Sequence, residues 1–99
     1  MANKSVTVVA RVRAKEGKEG TVRQELATLI APTRSEPGCV TYNLHQGADN
    51  KALFMVYESW ASKNDLDEHL KKPYLKAFLK KANELLAEPV EITLWEQIG

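Results

Sequence analysis

His69 stands on the apolar face of a segment with helical period, beside Leu66 and Leu70. A free imidazole titrates at about pH 6.5, which suits it to proton transfer near neutrality. Just upstream, Phe54, Val56, Glu58 and Trp60 alternate onto one side of a strand-like run. Just downstream, Tyr74 and Phe78 lie one helical turn apart. A base in a dry, aromatic-walled recess is what deprotonating a small electron-rich molecule requires. His69 is therefore the candidate catalytic residue, and Trp60, Glu58, Tyr74, Phe78, Phe54 and Val56 are candidate substrate-binding residues. The same aromatic residues would also serve as plain core. Glu58, if turned inward, needs an arginine or a backbone donor as its partner. His45 falls near a strand end, exposed or at a dimer edge. Cys39 reads as a small buried residue rather than a reactive thiol.

The elements that must position these groups follow from periodicity. Ser5 to Arg13 alternates as a strand, with Val6, Val8, Ala10 and Val12 on one side. Lys15 to Gly20 reads as a charged turn. Val22, Leu26, Leu29 and Ile30 mark an amphipathic helix, with Thr21 to Gln24 as a possible capping box or with a start a few residues earlier. Pro32 should kink or end that helix, and Glu36-Pro37-Gly38 stops it. Cys39 to Gln46 is a second strand with Val40, Tyr42 and Leu44 on one face. A polar turn, Gly47 to Lys51, joins it in a hairpin to a third strand, Ala52 to Trp60. Ser62 and Asp65 cap the next helix, Pro73 restarts it, and Pro89 ends it near Leu86. Val90 to Ile98 alternates as a fourth strand. The order strand, helix, strand, strand, helix, strand predicts an α+β, ferredoxin-like split βαβ fold with a four-stranded antiparallel sheet and helices on one face.

That sheet would leave Leu53, Met55 and Tyr57 on its other face. An apolar patch of this kind predicts a homodimer formed by isologous sheet-to-sheet packing.

The chain has 99 residues, enough for one domain, 1–99, with one modest core. Its 14 basic and 13 acidic residues nearly cancel, which argues against a nucleic-acid surface. A single cysteine precludes an internal disulfide and a thiolate metal site. The N-terminus, Met1 to Ser5, reads as no signal peptide, and no apolar run is long enough for a membrane span, so the cytoplasm is the expected compartment.

Tyr57-Glu58-x-Trp60, Leu66, His69-Leu70, Pro73-Tyr74, Lys76-Ala77-Phe78 and Glu36-Pro37-Gly38-Cys39 together resemble the antibiotic biosynthesis monooxygenase domain family. The resemblance implies a dimeric ferredoxin-like fold with a pocket between sheet and helices. It also implies a quinol-monooxygenase-like activity that oxidises a small phenolic or quinol-type aromatic with molecular oxygen and no metal, flavin or haem. Haem-degrading members carry an asparagine on the first strand and a histidine on the last helix. Here Ala10 holds the first position and Leu75 to Leu79 contains no histidine. Phenol oxidisers carry an asparagine four residues before the pocket tryptophan, where this chain has Val56. The alternative is a non-catalytic small-metabolite-binding or isomerase-type member of the same fold. An open cavity of about 300 Å³ or more shared by His69 and Trp60 would support a small-molecule site.

Overall fold

The computed structural model describes residues 5–99; Met1 to Lys4, where the reading of no leader begins, lie outside the described residues. The elements are β1 (Val6–Arg13), α1 (Glu19–Ala27), α2 (Ile30–Arg34), β2 (Cys39–Gln46), β3 (Leu53–Trp60), α3 (Lys63–Leu70), α4 (Pro73–Leu85) and β4 (Glu91–Trp95). The strands form one antiparallel sheet in the order β2-β3-β1-β4, which is the expected ferredoxin-like topology.

The alternation of β1 decides which face carries the core. Val8, Ala10 and Val12 are buried, whereas Arg11 is exposed. The register pairs Val8 with Glu58, Ala10 with Val56 and Val12 with Phe54, so the inward residues of β3 join the same layer. Helices α1 and α4 cover that layer at one end through Val22, Leu26, Phe78 and Leu85. Leu66 of α3 covers Val8 and Trp60 at the other. Each buried aliphatic side chain of this kind contributes about 1.5–3 kcal/mol of transfer free energy.

Three sequence expectations need correction, and the interruption expected from Pro32 is found. The first helix starts at Glu19, so Gly20 belongs to its first turn, and Lys18 caps it without a side-chain bond in place of a box at Thr21. Gly17, at φ +86, takes the left-handed turn just before it. The helix breaks at Thr28–Leu29, one turn ahead of Pro32, where the missing proline N–H would have bonded to Thr28. In β2 the register slips between Cys39 and Thr41: Cys39 pairs with Trp60, but Tyr42 pairs with Glu58. Val40 is the extra residue of this bulge and is 64% exposed, so Cys39, not Val40, shares the inner face with Tyr42 and Leu44. Finally, β4 covers only Glu91–Trp95. Its partner β1 begins at Val6 and offers little beyond the Thr7–Trp95 pair, while Pro89 has no N–H for the ladder at the other end.

Other local signals hold. Ser62 accepts from the Asp65 backbone N–H at 3.2 Å and caps α3. Pro73 occupies the first turn of α4, where its missing N–H costs nothing. No helix among the described residues is long and apolar enough to cross a membrane.

Candidate functional site

The chain between α2 and β2 folds as a tight turn. The Glu36 N–H donates to the Thr33 carbonyl, and the Cys39 N–H donates to the Glu36 carbonyl, both at 3.0 Å. This turn tucks the Glu36 side chain under the end of α3, where it is 8% exposed. His69, 3% exposed in the last turn of α3, meets it there: Nδ1 lies 2.8 Å from Glu36 Oε2. The Tyr74 hydroxyl, at the start of α4, donates to the same carboxylate oxygen. An oxygen that faces two donors is the acceptor for both, so the proton of His69 sits on Nδ1. His69 Nε2 makes no hydrogen bond among the described residues and keeps its lone pair when the ring is neutral.

A second carboxylate lies on the strand side. Glu58 is 5% exposed, and its Oε1 accepts from Trp60 Nε1 at 2.9 Å. Its partner is thus an indole, neither an arginine nor a backbone group. The Trp60 ring lies against His69, centroids 4.6 Å apart and 32° from parallel, and Tyr42 meets the imidazole edge-on at 6.1 Å. Burial raises the Glu58 carboxyl above the ordinary carboxylate range; the Trp60 donor and His69 oppose the rise, and Glu36 adds to it. Burial likewise pushes the Tyr42 phenol well up, with Glu58 reinforcing it. Tyr74 is pushed up to about 12, first by burial and then by its bond to Glu36. Both tyrosines therefore stay protonated at neutral pH. Burial, Glu36 and Glu58 together raise the Cys39 thiol, which weighs against a reactive thiolate, but Cys39 is half-buried and not the buried residue expected.

Between the sheet and α3–α4 lies an almost wholly apolar cavity of about 60 Å³. Glu58, His69, Val56 and Phe78 all line it, so four of the seven residues expected at the site meet there. Trp60, Phe54 and Tyr74 do not. Trp60 is fully buried behind His69, Phe54 belongs to the core beneath α1 and α4, and Tyr74 acts through Glu36. The cavity reaches the surface at Leu70, Leu79 and Ile92, which are 37%, 44% and 44% exposed. Its volume falls well below the expected figure of about 300 Å³ and Trp60 does not line it, so the open cavity shared by His69 and Trp60 that would have supported a small-molecule site is not found. His45 is exposed on the β2 edge, away from this cluster.

The polar constellation thus joins His69 to a carboxylate read from sequence as part of a helix stop and of a family motif, with no site role, because its partner lies 33 residues away.

The model of the antibiotic biosynthesis monooxygenase family matches residues 5–81. The chain belongs to this family. A Mycobacterium tuberculosis relative, Rv0793, provisionally named a monooxygenase, is 35% identical over 90% of this chain and 87% of its own. Its solved structure superposes with a TM-score of 0.90, covering 96% of each chain. The crystal structure of PA3566 from Pseudomonas aeruginosa superposes with a TM-score of 0.94 and 28% identity, covering 100% of this chain and 99% of its own. An uncharacterised Synechocystis protein is 32% identical over 96% of this chain, which spans only 65% of that relative's length.

Proposed function

We propose that this protein is a monooxygenase that oxidises a small phenolic or quinol-type aromatic with molecular oxygen and without a metal, flavin or haem. The observation that carries this reading is the free Nε2 of His69, a ring held by Glu36 on the wall of an apolar cavity. Nε2 takes the phenol proton, and the apolar wall keeps water away from the phenolate. The phenolate passes one electron to oxygen, and the resulting radical pair combines at a ring carbon to a hydroperoxide. Loss of water then leaves a quinone, so that one phenol and one oxygen molecule give one quinone and one water. Glu58, whose carboxyl burial raises, lines the same cavity and offers a hydrogen-bond partner to a substrate hydroxyl. Because the resting cavity is about 60 Å³, an aromatic ring is admitted only when Leu70, Leu79 and Ile92 part at its mouth.

Oxygen uptake with a panel of reduced quinones and polyphenols tests this reading. Consumption above autoxidation that is lost in His69→Gln is expected; a rate equal to the autoxidation background for every compound rejects it. Saturable binding of an aromatic without oxygen uptake would instead support the non-catalytic binding reading, for which the same cavity is the evidence.

We further propose that the working unit is a homodimer in the cytoplasm, paired through the outer sheet face. Tyr57 and Trp95 on that face are 42% and 58% exposed in the single chain, and Leu53, Met55 and Val9 are half-buried on the same face. Light scattering at micromolar concentration is expected to give twice the 11.1 kDa chain mass. A monomer there would reject the pairing.

A further inference from the structure

A second recess, of about 370 Å³, runs along the free edge of β2 and shares no lining residue with the His69 cavity. Arg23 of α1 and Arg34 of α2 stand on its helix side, and Asn43 and His45 on its strand side. Leu44 and Phe54 supply an apolar floor. No carboxylate lines it, in a chain whose acidic and basic residues otherwise almost balance.

Arg34 is held in place before any ligand arrives. Its Nε donates to the Tyr42 carbonyl at 3.1 Å, and its Nη2 donates to Asn43 Oδ1 at 3.1 Å. The Nη1 protons and one proton of Nη2 remain for another acceptor. The bond also occupies the amide oxygen of Asn43, which leaves its NH₂ as the group to offer. Arg23 makes no ion pair among the described residues. The recess therefore presents donors and positive charge over an apolar floor, with the Asn43 amide oxygen already used.

We propose that this groove binds a small organic anion, a carboxylate or phosphate monoester on an apolar body. The anionic head meets Arg23 and Arg34, and the body lies on Leu44 and Phe54. A guanidinium fork matches both kinds of head, and a fixed fork loses less freedom on binding than a mobile one. The volume is that of a small-ligand site. The groove stands apart from the proposed oxidation and does not depend on it.

Nuclear magnetic resonance titration of the intact protein tests the site with four probes: benzoate, phenyl phosphate, neutral benzamide and inorganic phosphate. Benzoate, phenyl phosphate or both are expected to shift the Arg34, Asn43 and Leu44 amides saturably, and the tighter of the two identifies the head group. Benzamide, lacking charge, and inorganic phosphate, lacking the apolar body, are expected to bind more weakly. Arg23→Gln, an exposed change that leaves the fold intact, should weaken binding about tenfold, and Arg34→Gln at least as much. Absence of saturable shifts with both organic anions overturns the proposal. So does benzamide or inorganic phosphate binding as tightly as they do, wild-type affinity in Arg23→Gln, or shifts centred on His69.

Discussion

In the first half of the fold, from β1 to β2, the helix breaks at Thr28–Leu29 and resumes as the short α2, which ends in the turn that presents Glu36. In the second half, from β3 to β4, the break falls at Lys71–Lys72, between the histidine in the last turn of α3 and the tyrosine in the first turn of α4. The first break follows from a proline late in a helix, which withdraws a hydrogen bond one turn back. The second uses a proline in a first turn, where no bond is lost. The difference places the acceptor on one half and both donors on the other, so the site forms at the seam and neither half carries it alone.

The seam can be broken from either side, and the effects should differ in kind. His69→Gln removes the base while keeping an amide donor for Glu36. Oxygen uptake with an accepted phenol should fall by about 10²–10⁴-fold, with the thermal unfolding midpoint little changed. Glu36→Gln acts from the opposite half. It leaves the buried His69 and half-buried Tyr74 donors with a weaker acceptor, and urea unfolding should show a loss of about 1–3 kcal/mol. It also releases the ring, so ¹⁵N shifts of His69 should move from a defined Nδ1–H form toward a tautomer mixture; unchanged shifts would mean that Glu36 does not orient the ring. Tyr74→Phe removes one donor at a half-buried position and should cost only about 0.5–1.5 kcal/mol.

Glu58 sharpens the comparison through pH. Its carboxyl is raised in the folded state, so the fold holds its proton above the ordinary value of 4.5, where the unfolded chain releases it. Within that window the native state binds more protons, and stability falls as pH rises from 4.5 toward the raised native value. Glu58→Gln removes this loss and can keep the Trp60 bond. It should be more stable than the wild-type chain at pH 7 and gain less at pH 4, as read from paired urea midpoints.

Local pattern carried the architecture because each element has a strong local cause. Valine alternation made β1, Ser62 with Asp65 made the α3 start, and Pro73 marked the α4 start. His69 was legible for the same reason, since a polar residue among leucines on one helix face has few places to go. Glu36 was not, because burial of a carboxylate depends on donors that the fold brings from a distant segment. The bulge at Val40 escaped because alternation alone does not reveal a slip in register. Trp60 was correctly turned inward but lies behind His69, a distinction set by the packing of rings and not by strand parity.

The bulge at Val40 amounts to a reading-frame change in the pleat. Ahead of it, the chain keeps the phase set by the turn, with Cys39 beside Trp60; after it, the strand runs in the phase set by β3, with Tyr42 beside Glu58. One loosely packed residue thus reconciles two alignments that would otherwise compete. Without it, the strand would have to choose between seating the loop that presents Glu36 and seating the ring that touches His69. Val40 acts as a spacer, and at that position chain length matters more than side-chain identity.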